Sequence, residues 1–97
     1  MNTSEKFQVI DKEAVGGLRF PDEDVLNADQ EAARMRHADL QRALTLGNLE
    51  RSKIKIYFED DTSTKMVDTT VWGLTDKRVI LKQGAVIPIH RVHKIKF

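Results

Sequence analysis

The final twenty-one residues carry the densest chemistry in the sequence. Lys77, Arg78, Lys82, Arg91, Lys94 and Lys96 stand there with His90 and His93, and no acidic residue separates them. Clustered cations attract phosphates by releasing the counterions condensed on a nucleic acid, so binding of this kind weakens as salt rises. Tyr57 and Trp72, the only tyrosine and tryptophan, could add stacking surfaces for bases. Those residue types point to single-stranded RNA as the partner, with Tyr57, Lys77, Arg78, Lys82, His90, Arg91, His93 and Lys94 as the candidate contact set. The bland alternative is that lysines alternate with isoleucines to keep one strand face wet and to protect sheet edges.

Other chemistries find less support. His90 and His93 are three apart, but a zinc site wants three or four protein ligands, and only His37 and scattered carboxylates remain. No nucleophile has an adjacent base, and no glycine-rich loop follows a strand to cradle phosphates. The expectation is a non-enzymatic protein with no metal and no cofactor. Cysteine is absent, which rules out disulfides and thiolate metal sites.

The elements that must position these residues can be read from periodicity. From Ser52 the apolar pattern has period two: Ile54, Ile56 and Phe58 alternate with Lys53, Lys55 and Tyr57. After a polar turn, Glu59–Ser63, a long strand follows with Val67, Thr69 and Val71 on one side, interrupted by Gly73. A third strand spans 78–82, a two-residue turn falls at Gln83-Gly84, and a fourth strand spans 85–89. Ile89 and Val92 cannot share a face of a regular strand, so a tight turn is expected at His90–Val92, before a short fifth strand. Upstream, Asn27 to Gly47 reads as a helix, with Asn27 and Gln30 at capping-box spacing. Ala28, Ala32, Met35, Ala43 and Leu46 form one stripe, Ala33, Leu40 and Leu44 a second beside it, and Gly47 fits the left-handed stop.

Charge divides the chain. Residues 1–33 carry three basic and eight acidic side chains, a balance of −5, whereas residues 34–97 carry thirteen and seven, a balance of +6. Residues 1–26 are expected to be a loosely ordered acidic arm, pinned through Phe7, Ile10, Leu18 or Phe20, and 27–97 a single domain. That domain comprises a helix at 27–47 and a small barrel at 52–97. No stretch approaches the roughly 20 apolar residues of a membrane span, and the first residues lack the order of a secretory signal. A cytoplasmic location follows as the expectation.

The resulting fold class is α+β, mostly β: one helix, then a five-stranded antiparallel Sm-like or SH3-like barrel. Arg51-Ser-Lys-Ile-Lys-Ile-Tyr-Phe, Val79-Ile-Leu-Lys and Ile89-His-Arg-Val-His-Lys-Ile together resemble the pattern of the bacterial Sm-like RNA chaperone Hfq over residues 40–96. The resemblance implies a ring-forming homo-oligomer that meets RNA at the turn before its last strand. Either Ile89, His90 and Arg91, or Arg91, Val92 and His93 one register later, match that family's Tyr-Lys-His turn, and its aromatic has no counterpart here. Thr69-Thr70-Val71-Trp72-Gly73 and Ile87-Pro88-Ile89-His90-Arg91 also resemble segments of small uncharacterised bacterial proteins of Bacteroides-like organisms, a likeness that implies no activity. The rival expectation is a protein-interaction or self-assembling adaptor, in which apolar surface near Trp72, Ile87 and Ile89 makes the contact.

Overall fold

A computed structural model describes residues 7–97. The described residues form one helix and seven strands in two sheets. In order these are β1 (Gln8–Val9), a 3-10 turn (Lys12–Gly17), α1 (Gln30–Glu50), β2 (Ile54–Glu59), β3 (Thr64–Thr69), β4 (Val71–Leu74), β5 (Arg78–Leu81), a 3-10 turn (Lys82–Gly84), β6 (Val86–Pro88), a 3-10 turn (Ile89–Arg91) and β7 (Val92–Lys96).

The first sheet has the order β1-β3-β2-β7 and the second β4-β5-β6. All pairings are antiparallel except that of β1 with β3. The long strand expected after residue 63 divides at Thr70, where the chain passes from the first sheet to the second. Gly73 sits at a register shift against β5 instead, so the bend falls three residues before the glycine and the glycine marks a bulge. The sheets do not close into a barrel, and β6 pairs only with β5 among the described residues.

Period-two alternation sends Ile54, Ile56, Phe58, Val67, Val71, Val79, Leu81, Ile87, Val92 and Ile95 to one core between the sheets. The mismatch between Ile89 and Val92 is absorbed by the 3-10 turn Ile89–Arg91. The expected Gln83-Gly84 turn lies in the three-residue link Lys82–Gly84, with positive φ at Gln83 and Gly84 of 69° and 96°.

The helix begins later and ends later than its sequence signals. Asp29, rather than Asn27, is the cap, and its carboxylate accepts a 3.0 Å hydrogen bond from the Ala32 N–H. Asn27 lies in the preceding turn with φ 40°. The buried stripe is Arg36, Leu40, Ala43 and Gly47, one step round from the alanine stripe, and Met35 is exposed. This face packs across β4 and β7.

Gly47 therefore does not end the helix. It lets the helix lie against β4, because a Cβ there would overlap the Val71 carbonyl oxygen. Alanine would gain about 1 kcal/mol of helix propensity, but overpacking against a backbone group that cannot rotate away costs about 3 kcal/mol. Gly47→Ala should thus lower stability by about 2 kcal/mol, seen as a lower urea midpoint.

The expected acidic arm is built into the fold from Phe7 onward, while its first six residues lie outside the described residues. Val15 is buried in the core, and Ile10, Leu18 and Phe20 pack against it. Phe20 meets Phe58 at 6.1 Å between ring centroids.

Candidate nucleic-acid interface

The basic stretch does not converge on one surface. Strand alternation and two turns distribute its side chains over three places, and several cations are already engaged.

Tyr57 lies on the outer face of the first sheet, on the opposite side from Ile56 and Phe58, yet is only 8% exposed. Phe7 meets its ring edge-on at 5.0 Å, and the Lys94 ammonium sits 5.2 Å from its centroid. A base could stack there only by displacing one of them, so the stacking role expected of Tyr57 is already filled by the chain. His93 lies nearby and is held by Glu59, Nε2 to Oε1 2.9 Å.

Arg91 is buried and faces inward. Its Nε donates to the Glu59 carbonyl at 3.0 Å and its Nη2 to that of Asp60 at 3.3 Å, while Nη1 donates to the Glu23 carbonyl. The guanidinium thereby ties the β2–β3 turn to residues 21–25 and is spent on main-chain oxygens. At 5% exposure Arg91 does not lie at the surface where a phosphate contact was expected. His90 Nε2 is 2.8 Å from the Pro21 carbonyl; since a carbonyl only accepts, Nε2 carries the proton. The Val25 N–H donates to the His90 carbonyl at 2.9 Å. Residues 21–25 thus cover the turn before β7.

The second place is a groove lined by Lys77, Arg78, Pro88, Ile89 and His90, facing Phe20, Asp22, Asp24, Arg36 and Asp76. Asp24 and Arg36 form a two-pronged pair at 3.0 Å, and Arg36 also donates to the Val92 carbonyl. The Arg36 guanidinium holds the Asp24 carboxyl below the usual range; partial burial opposes this and the Leu26 N–H assists it. Three carboxylates in one groove make it a poor seat for a polyanion.

The third place is a cleft of about 470 Å³ at the C-terminal end of α1, lined by Gly47, Asn48, Arg51, Thr70, Trp72 and Lys82. Here no acidic side chain is present. Trp72 is 53% exposed, and neither Arg51 nor Lys82 makes a side-chain ion pair among the described residues. Because Val79 and Leu81 face the core, Arg78 and Ile80 of β5 project to the outer face of the second sheet. Trp72, Ile80, Val86 and Pro88 therefore form a partly exposed strip flanked by Arg78 and Lys82.

Of the expected contact surface for a protein partner, Ile87 is fully buried in the core and is unavailable. Ile89 is partly covered and lines the acidic groove, and Trp72 stands apart in the cleft. Arg51, Asn48 and Thr70 went unnoticed in the sequence because Gly47-Asn48 reads as a helix stop. The helix runs one turn further and carries Arg51 to the cleft.

Among the described residues no group of three or more His, Asp or Glu side chains could hold a metal ion, and no helix is long and apolar enough to cross a membrane. Comparisons with protein-family models, curated proteins and solved structures give no match.

Proposed function

We propose that this chain is a non-enzymatic binding module of the Sm-like or SH3-like type that holds single-stranded RNA on the outer face of its second sheet. The observation that carries the proposal is Trp72, more than half exposed beside Arg51 and Lys82 in an acid-free cleft. An exposed aromatic next to cations is the arrangement that binds single strands without reading sequence: bases stack and phosphates pair. The small-barrel assignment is supported by chain order. If β3 and β4 are taken as one strand bent at Thr70, the sequence runs β7-β2-β3/β4-β5-β6 in space, with a one-turn link between β6 and β7. That order supports the likeness of residues 40–96 to Sm-like RNA chaperones.

Binding of a fluorescent single-stranded RNA should be detectable at low salt. With three cations engaged, the slope of log K against log salt should be about −2. Trp72→Ala should weaken binding about tenfold or more, and Arg78→Ala with Lys82→Ala should flatten the slope by about 1. A control, Lys55→Ala on the first sheet, should leave both unchanged. Absence of binding at low salt would end the proposal.

A second reading, a self-assembling or protein-binding adaptor, is favoured by the outer edge of β6, unpaired among the described residues, and by the apolar strip around Trp72. Light scattering that gives a monomer at every concentration, together with loss of RNA binding in Trp72→Ala, would decide against it.

A further inference from the structure

The cleft at the helix end has features that the surrounding sheet face lacks. Arg51 lines it in the left-handed conformation, φ 55° and ψ 33°. Glycine adopts that backbone freely, and helix ends commonly place glycine there; a side chain with a Cβ is strained. Of three described non-glycine residues with positive φ, Arg51 lines this cleft and Gln83 directly follows Lys82. Backbone strain in a folded chain persists where the surrounding structure holds it, and it gathers at binding sites.

The ordinary explanation for Arg51 is a cation complementing the negative end of the helix. Here the main chain itself closes part of the helix end: the Arg51 N–H donates to Gly47 O at 3.1 Å and the Ser52 N–H to Leu46 O at 3.4 Å. Arg51 instead lines the cleft together with Lys82, Trp72, Asn48 and Thr70, whose hydroxyl donates to the Arg51 carbonyl at 3.4 Å. A flat aromatic surface, two cations, an amide and no carboxylate together select a planar ring joined to an anion. The volume lies within the roughly 300–1,000 Å³ of small-molecule sites.

We propose that this cleft is a subsite for one nucleotide unit, with its base stacked on Trp72 and its phosphate held between Arg51 and Lys82. The inference deepens the single-strand reading above and rests on it. It also accounts for why arginine stands where glycine would be less strained.

The chain contains a single tryptophan, so its intrinsic fluorescence reports the site directly. Titration with uridine 5′-monophosphate should quench that emission. Uridine and inorganic phosphate, each supplying half of the ligand, should bind at least tenfold more weakly. A uridine pentamer that binds more tightly than the monophosphate marks the source as a strand; equal affinity marks a free nucleotide, and either result supports the subsite. Arg51→Gly should weaken the monophosphate at least fivefold while raising the melting temperature, because it removes the guanidinium and relieves the backbone. Lys82→Gln should weaken it comparably without altering the backbone.

Parental affinity in both variants, or uridine binding as well as its monophosphate, would overturn the subsite. If the pentamer then still binds and still responds to Arg78→Ala, the wider reading of the sheet face survives. Failure of the pentamer to bind at all would remove both.

Discussion

Asp60→Ala should destabilise the fold by about 3–5 kcal/mol, the cost of leaving one member of a buried ion pair without its partner. Lys65 and Asp60 meet at 2.9 Å with side chains 7% and 4% exposed. The three ammonium protons of Lys65 have three acceptors within the turn: Asp60 Oδ1, Thr62 Oγ1 at 3.2 Å and Ser63 Oγ at 2.9 Å. Asp60 Oδ1 in turn accepts from the Thr62 N–H and hydroxyl, both at 3.1 Å, and from the Ser63 N–H at 3.0 Å. The β2–β3 turn is thus wound around one carboxylate oxygen. Truncation would leave a buried cation and at least two main-chain donors unmatched.

Urea denaturation should show a lower midpoint at unchanged slope. Asp60→Ala combined with Lys65→Met should recover more than half of the loss, since a paired removal leaves no orphan charge. Acid titration supplies an independent check. Burial disfavours the Asp60 carboxylate, but the Lys65 ammonium and the Ser63 and Thr62 donors outweigh it and hold the carboxyl down from 3.8 to about 2. A carboxyl lowered in the folded state contributes stability that is complete above its unfolded value of about 4 and is lost as pH falls through the folded value. Between pH 4 and 2 the parent should therefore lose stability more steeply than Asp60→Asn. Parallel acid limbs would show that Asp60 is not the linked group.

The strands were legible in the sequence because their signal is local. Lys55 and Tyr57 alternate with Ile54, Ile56 and Phe58 on a half-buried strand whatever the rest of the chain does, and Ile89 against Val92 requires a change of phase within three residues. The helix was legible in kind but not in limits. Asn27 and Asp29 are both good caps, and only the turn before the helix, with Asn27 at φ 40°, decides in favour of Asp29. Gly47 looked like a stop because sequence alone does not show that the Val71 carbonyl fills the space of its missing side chain.

The candidate site was legible as composition and not as geometry. Counting cations from Lys77 to Lys96 treats them as one patch, whereas alternation and two turns aim them at different surfaces. Residues 21–25 then cover the His90–Arg91 turn, a contact made across more than sixty residues of chain. Val15 was obscure for a related reason. It stands beside a glycine pair and charged residues, and its burial depends on core partners far along the chain.

Arg91→Ala is the substitution that best separates the composition of the C-terminal stretch from its structure. A surface phosphate contact would lose RNA affinity on truncation and leave stability alone. The buried guanidinium should do the opposite. Its removal strands the carbonyls of Glu23, Glu59 and Asp60, which lose charge-assisted donors, and it empties the space the side chain occupied at 5% exposure. The expected cost is about 3 kcal/mol. Arg91→Lys should be intermediate, because one ammonium cannot reach three carbonyls held in a fork. The loss should be felt first where the guanidinium clamps residues 21–25. The Val25 amide, bonded to the His90 carbonyl at 2.9 Å, should exchange with solvent deuterium faster than amides of β2, whose protection tracks global unfolding. RNA affinity, measured where the variant is still folded, should stay within threefold of the parent. A cost below 1 kcal/mol with a tenfold loss of RNA binding would return Arg91 to the surface and move the interface from Trp72 to the turn before β7.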